Sequence, residues 1–288
     1  MLSALVTLYN PEGDVAKRIE SIILQVDQVI LCDNSLIDNS ELFKSNPKIK
    51  YFFWGKNYAL SKAFNKVLKD KEIKWDLNDF VIFFDQDSII EQGHVQSLIE
   101  EYNRLQEEGY DVGCIGPIYF DLNKQNLIIP KDKKQISENS YIVPCIMTSS
   151  MLCKYGDLVS IGFWNEDIFL DLADWDLCWR LMQKEKLCIK TKAAVFKHAL
   201  GFGSKKIGPI VLGRAAPIRE YYQTRNSLYL LKKDYTPKKY KQMFIRNLTI
   251  RPILHCLFLD NKKMRLKYII QGYKHYRKNY TGEWKNKI

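Results

Sequence analysis

The chain has 288 residues, of which 46% are hydrophobic and 27% are charged. This composition is that of a globular protein and excludes a disordered or fibrous chain. The net charge is +11, but it is unevenly distributed, because the segment from Lys205 to the C-terminus holds 21 basic and only 4 acidic residues.

Such asymmetry favours an anionic partner, either a nucleic acid or a membrane surface. The seven cysteines lack the spacing of metal ligands, a pattern typical of reduced core thiols in a cytoplasmic protein. The N-terminal segment has no basic start typical of a signal peptide. No stretch approaches the roughly 20 apolar residues that a bilayer crossing needs. We therefore expect a cytoplasmic protein.

Strands and helices are predicted to alternate along the first 70 residues. Short apolar runs predict strands at Ala4–Leu8, Gln28–Cys32 and Lys50–Trp54. Apolar residues at helical spacing predict helices starting at Asp14 and over Asn57–Lys69. The alternation predicts a mainly parallel sheet with helices on both faces. The chain has neither a G-x-G-x-x-G motif after its first strand nor a P-loop, which disfavours a dinucleotide Rossmann fold and an ATPase.

The segment Asp79–Ser88 is a short apolar strand that ends in two acids. Val81–Phe84 predicts a buried strand, and Asp85 and Asp87 follow it directly. Because unpaired charge is costly to bury, both carboxylates should project into the crevice where open α/β sheets bind ligands. Oxygen ligands there suit Mg²⁺ or Mn²⁺ held together with substrate phosphates. The alternative is a solvated turn, which is less favoured because three successive strands end in polar residues.

The next part of the chain is predicted to complete the sheet. A helix is expected at His94–Glu108, and an apolar run predicts a strand at Val112–Phe120. The polar, lysine-rich segment Asp121–Ser140 is expected to be a mobile surface connection, and Tyr141–Leu152 to return to the core.

A second group of acids lies at the start of a predicted helix. Asp171, Asp174 and Asp176 fall within six residues of one another. Acids near a helix N-terminus are stabilised by its dipole, but a single aspartate would suffice for a cap. Carboxylates crowded in this way can have a raised pKa, as a general base requires.

Three further side chains and a glycine-rich segment are candidates for the site. His198 follows a strand-like run, and its imidazole is expected either to bind a cation or phosphate or to be structural. The segment Gly201–Pro217 has the composition of a flexible lid. Arg219 and Arg225 lie in an aromatic helix, where one is a candidate phosphate ligand and the alternative is a solvated basic face.

The C-terminal segment, residues 231–288, combines aromatic and aliphatic residues with many Lys and Arg. It lacks a nucleic-acid recognition motif, so we do not expect a nucleic-acid partner. Basic amphipathic helices of this kind favour attachment to an anionic membrane, and the alternative is a helical cap on the catalytic core.

Motifs in the same order throughout about the first 230 residues resemble those of inverting glycosyltransferase family 2, and its rhamnosyltransferase branch most. The sequence departs from the family at Ala59, where glycine is usual, and at Ala173, where many relatives have an acid. The matching segments are Val6–Pro11, Val29–Ser35 with Asp38, Asn57–Asn65, Phe84–Ser88, Phe169–Asp171, Asp174–Asp176 with Arg180, His198–Gly201 and Arg219–Asn226.

The resemblance implies an α/β GT-A fold, with a nucleotide-binding half at residues 1–110 and an acceptor-binding half at 111–230. It implies that Asp87, with His198 as a second candidate, binds the Mn²⁺ or Mg²⁺ that bridges the donor phosphates. Asp174 stands at the position of the general base. The substrate-binding positions implied by the matching motifs are Thr7, Tyr9, Asn10, Asp33, Asn57, Lys62, Asp85, Gln86, Asp171, Trp175, Asp176, Arg219 and Arg225. Of these, Asp33 with Tyr9 and Asn10 would contact the nucleotide base and ribose.

The resulting expectation is a metal-dependent glycosyltransferase that builds bacterial cell-surface polysaccharide at the inner face of the plasma membrane. The expected donor is dTDP-L-rhamnose, and the expected acceptor is a glycan that could be lipid-linked. Two alternatives remain open: the same fold with a UDP-hexose or UDP-galactofuranose donor, and a non-catalytic scaffold that binds sugar nucleotides.

Overall fold

The computed structural model describes residues 1–43, 46–122, 125–198, 204–208, 210–213 and 215–285, with only the backbone at 198, 204–207, 210 and 211. Within these ranges the strands are β1 (Leu2–Leu8), β2 (Gln28–Asp33), β3 (Ile49–Phe53), β4 (Phe80–Asp85), β5 (Val112–Asp121), β6 (Asn126–Ile128), β7 (Lys134–Gln135), β8 (Ser140–Ile142), β9 (Met151–Lys154), β10 (Leu187–His198), β11 (Ser204–Ile207) and β12 (Ile210–Gly213). The α-helices are α1 (Val15–Ile23), α2 (Ala59–Leu68), α3 (His94–Glu107), α4 (Tyr155–Ser160), α5 (Ala173–Gln183), α6 (Ile218–Leu231), α7 (Lys238–Phe258) and α8 (Lys262–Arg277).

The central sheet has the mixed α/β architecture that the alternating pattern predicted. Four parallel strands run in the order β3-β2-β1-β4, and the antiparallel β9 separates them from the parallel pair β5 and β10. The short strands β8 and β7 extend the far edge, and β6 pairs with β5. Because β1 and β4 are parallel neighbours, their carboxyl ends open onto the same edge of the sheet.

Helices cover both faces of this sheet, and each face has its own apolar core. Phe64 of α2 packs on one face, together with Trp179 of α5, while α1 and α3 cover the other face. All seven cysteines are free thiols, and five of them are buried.

Two segments are more ordered than their composition suggested. The expected mobile connection at residues 121–140 contains β6 and β7, which pair with the main sheet. The described part of the expected lid at residues 201–217 contains an antiparallel hairpin, β11–β12. Lysine is common on strands at the edge of a sheet, so a lysine-rich composition does not exclude strand pairing.

The C-terminal helices pack onto the rest of the protein. Phe244 of α7 is buried against Trp175 and Trp179 of α5, with ring centroids 6.3 and 6.0 Å apart. Helix α8 packs closely on α6, where Gly272 faces Thr224. None of the helices in the described ranges has the length and apolar character that crossing a membrane requires.

Candidate active site

The two acids after β4 lie in different environments. Asp85, at the end of β4, accepts hydrogen bonds from Thr7 on β1, at 3.5 Å, and from the Ser149 hydroxyl. Ser88 Oγ accepts a hydrogen bond from the Asp85 amide at 3.2 Å and holds the turn that follows the strand. Asp87 is exposed, and no hydrogen bond or ion pair holds its carboxylate within the described ranges. Asp85 is therefore fixed by the protein, whereas Asp87 is available to a ligand.

Gln86, between these acids, links the ends of β4 and β1. Its amide oxygen accepts a hydrogen bond from the Tyr9 backbone N–H at 2.7 Å, and its Nε2 donates to the Tyr9 carbonyl at 3.2 Å. The Asn10 amide donates to Ser35 Oγ after β2 at 2.7 Å, so three strand ends are joined. The Tyr9 side chain itself is half-exposed, at 52%.

The acids at this sheet edge fit a divalent cation that shares its coordination with a ligand. An exposed carboxylate offers hard oxygen atoms, and Mg²⁺ is commonly held by one or two carboxylates together with substrate phosphates. Among the described side chains, the close group of three ligating residues is instead a buried thiol cluster, Cys114, Cys178 and Cys188, deep in the core. The side chain of His198, the other candidate metal ligand, lies outside the described residues.

Asp33, the candidate for base recognition, is fully buried at the end of β2. One carboxylate oxygen accepts a hydrogen bond from the Ser35 amide at 2.8 Å. The other accepts from Asn39 Nδ2 at 2.9 Å and from the Tyr51 hydroxyl at 2.5 Å. In this arrangement its oxygens are already used by the protein, so a contact with a base would require Asn39 or Tyr51 to move.

The segment before α2 is held by two asparagines. Asn57 Oδ1 accepts the Ala59 amide at 2.8 Å, and buried Asn34 bonds both the Tyr58 amide and the Ala59 carbonyl, at 3.0 Å each. Ala59 has φ = +54°, a left-handed conformation that favours glycine. Lys62 is exposed and 4.0 Å from Glu166, so the structure places it on the outer side of α2.

The chain entering α5 adopts an unusual backbone conformation. Asp171 and Leu172 have φ values of +58° and +70°, although neither is glycine. Two contacts hold this turn: Asn226 donates to the carbonyls of residues 170 and 171, and Arg219 forms a bidentate ion pair with the Asp171 carboxylate. Strained backbone of this kind persists where surrounding contacts fix it, often at functional sites.

The turn places Asp174 in the wall of a cavity of about 450 Å³ between α5, α6 and α7. The residue as a whole is half-buried, but its carboxyl group is densely surrounded, and this burial raises its pKa to about 7. Nearby Cys178 adds to the upward shift, and the Trp175 amide, which donates to Oδ1 at 2.9 Å, opposes it. A carboxylate with a pKa near neutrality is suited to act as a general base.

Tyr119 connects this cavity with the acids that follow β4. Burial raises the pKa of Tyr119, and the negative charges of Asp174 and Asp85 raise it further, so its hydroxyl lies within electrostatic range of both. The hydroxyl donates to the Ser149 carbonyl at 2.8 Å, Ser149 donates to Asp85, and Thr148 lines the cavity. Thr148 in the cavity wall is followed directly by Ser149, the partner of Asp85, so Asp85 lies behind this wall; neither Asp85 nor Asp87 lines the cavity itself.

Of the other candidates, Arg219, Asp171 and Trp175 line the cavity, while Asp176 and Arg225 do not. Asp176 is fully buried and bonds Arg180 at 2.7 Å, Asn165 at 3.1 Å and Tyr235 at 2.6 Å. Asp176 is two residues beyond Asp174, about half a helical turn, so it faces the core rather than the cavity. Its expected role, at the acceptor pocket or as a helix cap, stays a prediction.

Arg225 likewise points away from the cavity. It is fully buried, and its guanidinium donates to the Tyr221 hydroxyl at 3.1 Å and to the Gly282 carbonyl at 2.7 Å. This contact ties α6 to the chain after α8, so Arg225 has a structural role in this arrangement, and Arg219 is the better placed of the two candidate phosphate ligands.

The sequence-based list of candidates missed part of the cavity. Ser149 and Tyr119 lie between the two acidic groups, and Phe244, Asn247 and Arg251 of α7 line the cavity. The run Thr148–Ser150 was visible as small polar residues in a core segment, but no local pattern marks the residues of α7.

Comparison with known proteins identifies the family. The model of "Glycosyl transferase family 2" matches residues 3–155, just over half of the chain. The chain belongs to glycosyltransferase family 2. The matched segment runs from β1 to β9 and includes Asp33, Asp85 and Asp87, and membership of the family makes the protein a glycosyltransferase.

Two solved structures and one curated protein are similar to this glycosyltransferase. The dTDP-rhamnosyl transferase RfbF of Shigella flexneri is 25% identical over 281 residues, covering 92% of this chain and 90% of that protein. GalNAc-T7, solved with UDP, GalNAc and Mn²⁺, has a TM-score of 0.58 at 12% identity. The match covers 96% of this chain and 56% of that one. S. aureus TarS 1-349 has a TM-score of 0.52 at 14% identity over 96% of this chain and 87% of that one. These structural likenesses show the GT-A fold.

Proposed function

We propose that this glycosyltransferase transfers L-rhamnose from dTDP-L-rhamnose to a hydroxyl group of a glycan acceptor, with Asp174 as the general base. The observation that carries this proposal is the half-buried Asp174, in the wall of a cavity of about 450 Å³ and with a pKa raised to about 7. The choice of donor follows the similarity to the rhamnosyl transferase RfbF over most of both chains.

In this proposal the acceptor oxygen forms a bond with the anomeric carbon while the bond from that carbon to the phosphate oxygen breaks. The electron pair leaves with the nucleoside diphosphate, and the acceptor proton passes to the Asp174 carboxylate. Attack from the side opposite the leaving group inverts the anomeric configuration. Lines of support are the pKa of Asp174 and its position across Tyr119 from Asp85.

Asp87 is the residue that would hold a divalent cation, since its carboxylate is exposed and without a protein partner among the described residues. When bound, Mn²⁺ or Mg²⁺ neutralises negative charge on the departing diphosphate. Asp85, fixed by Thr7 and Ser149, would position the ribose or the same cation. The fold neighbour GalNAc-T7 was solved with UDP and Mn²⁺, which supports this assignment.

We propose the division into a catalytic domain at residues 1–230 and a C-terminal extension at 231–288, with the extension also facing an anionic membrane. Four aliphatic residues of α7 are exposed, although α7 is partly embedded in the protein: Ile245, Ile250, Ile253 and Leu257. Lysines are frequent in α8. An apolar face with nearby cations is the chemistry that binds anionic lipid.

The test is to incubate the purified protein with dTDP-L-rhamnose, UDP-glucose or UDP-galactofuranose and Mn²⁺, and to measure thermal shift and release of nucleoside diphosphate. We expect the largest shift with dTDP-L-rhamnose, because a ligand that binds only the folded state raises the melting temperature. A larger shift with a UDP-sugar would identify that UDP-sugar, and not dTDP-L-rhamnose, as the donor. Nucleotide binding without turnover in the presence of bacterial glycan acceptors would favour the scaffold alternative.

A further inference from the structure

A second cavity of about 540 Å³ adjoins the one at Asp174. The two cavities share four lining residues, so one ligand can extend from the first into the second; these are Arg219, Gln223, Asn247 and Arg251. The described lining of the second cavity contains a third arginine, Arg246, and no Asp or Glu. Its charge is therefore positive on the side where the acceptor would enter.

Arg251 is not neutralised by its protein partner. Its guanidinium lies 3.4 Å from Glu220 Oε2, but Glu220 also accepts a hydrogen bond from Arg265 at 2.9 Å and lies 2.7 Å from the His255 ring. One buried carboxylate is thus shared by two guanidinium groups and an imidazole. Burial lowers the pKa of Arg251, and the positive charges of Arg219 and Arg265 lower it further while Glu220 opposes the shift.

The other two arginines have donors to spare. Arg219 uses Nε and one terminal nitrogen to pair with Asp171, and its side chain remains 42% exposed. Arg246 is exposed and has no ion pair within the described part of the chain. Guanidinium groups bind phosphate oxygens through paired, charge-assisted hydrogen bonds.

We propose that the acceptor carries a phosphate or diphosphate ester, which Arg246 and Arg251, together with Arg219, bind in this second cavity while the acceptor hydroxyl faces Asp174. The inference rests on the proposed transfer at Asp174. A phosphate group fits better than a sugar carboxylate because it brings more than one negative charge to several cations. Ile250 and Leu254, which also line the cavity, give room for an apolar group next to the phosphate.

The test is calorimetric titration of the full-length protein with inorganic pyrophosphate in EDTA, so that no divalent cation at Asp87 contributes. Wild type should bind. R246Q and R251Q should each weaken binding about 10-fold, as expected for loss of a charge-assisted hydrogen bond. R246K should restore part of the loss. R277Q, which removes an exposed arginine at the end of α8 outside both cavities, should bind as wild type does.

Because Arg251 contacts buried Glu220, R251Q could also unfold the protein, and the exposed Arg246 then decides the test. Wild-type affinity in R246Q would overturn the proposal. If dTDP-L-rhamnose with Mn²⁺ stabilises the protein but pyrophosphate does not bind in EDTA, only the present inference fails. If no sugar nucleotide binds, the proposed function itself fails.

The source of the phosphate is distinguished with geranyl diphosphate as a second probe. Tighter binding than pyrophosphate, lost in R246Q, indicates a lipid-linked acceptor. Equal binding of the two probes indicates a soluble phosphorylated acceptor. Both results support the anion site.

Discussion

In the proposed mechanism, the protonation of Asp174 links activity to pH. Its pKa of about 7 lies above the ordinary value of 3.8 because burial disfavours the charged form. A general base works only when deprotonated, so we expect the rate of sugar transfer at saturating donor to rise with pH and to be half-maximal near pH 7. A profile that stays flat from pH 5.5 to 8.5, measured as nucleotide release, would contradict this role.

The same burial predicts that D174N gains stability while it loses activity. The folded state binds the proton of Asp174 more tightly than the unfolded chain does. The protonated carboxyl therefore contributes stability below about pH 4, and this contribution is lost as the pH rises to about 7. An uncharged Asn avoids that loss, and we expect the free energy of unfolding of D174N at pH 8 to exceed that of wild type by about 1 kcal/mol or more. Turnover should fall about 100-fold or more. The control D167N, at an exposed position near α5, should change neither quantity.

At the acidic sheet edge, the D87N variant separates metal-dependent donor binding from folding. Asp87 is exposed and makes no contact that stabilises the fold among the described residues, so we expect an unchanged melting temperature without ligand. The thermal shift produced by dTDP-L-rhamnose with Mn²⁺ should be largely lost. D234N, a substitution of another exposed aspartate, should keep the full shift. An equal thermal shift in D87N and wild type would mean that Asp87 does not bind the metal.

Ala59 offers a test of backbone strain. A non-glycine residue in the left-handed region costs about 1–2 kcal/mol, and glycine avoids most of this cost. We therefore expect A59G to raise the free energy of unfolding by about 0.5–1 kcal/mol, after the added flexibility of the unfolded chain is taken into account. The matched change A63G, in the interior of the same helix, should lower it. Chemical denaturation measures both, and destabilisation by A59G would mean that its Cβ packs more favourably than the strain costs.

At the scale of elements, α6 and α8 pack too closely for a side chain at Gly272. A Cβ atom there would lie 2.9 Å from Thr224 Cβ and 3.0 Å from the Tyr221 carbonyl oxygen. We expect G272A to lower the free energy of unfolding by about 1 kcal/mol or more, since overpacking outweighs the helix propensity of alanine. G213A, where the added Cβ meets no atom within 4 Å, is the control and should be close to neutral.

The elements that could be predicted from sequence are those that local patterns define. The strands before Asp33 and Asp85 and the helix α3 were located to within one or two residues, because short apolar runs and helical spacing are local properties. The sequence did not predict that the antiparallel β9 would lie between β4 and β5. That position depends on contacts between residues distant in sequence. The same reason applies to the burial of Asp176 and Arg225: composition marks a charged residue, but only packing decides which way it faces.

At the scale of the whole molecule, the C-terminal extension is both part of the core and a candidate membrane surface. Phe244 is buried against α5, and Arg251 lines the cavity at Asp174, so removing the extension would disrupt both the core and this cavity. A test of membrane binding must therefore change only exposed positions. Ile253 and Leu257 are 61% and 56% exposed on one face of α7.

We expect the double substitution I253E/L257E to weaken binding to phosphatidylglycerol vesicles about 10-fold or more. The double substitution removes two apolar side chains that would enter the lipid. It also adds two negative charges, which anionic lipid repels. V159E, at a residue that is 41% exposed on α4, is the matched control and should sediment with the vesicles as wild type does. Binding of wild type should also decrease as salt is raised, and phosphatidylcholine vesicles should bind less. If wild type does not sediment with anionic vesicles even at low salt, the exposed face of α7 is not a membrane surface, while the catalytic cavity and its predictions are unaffected.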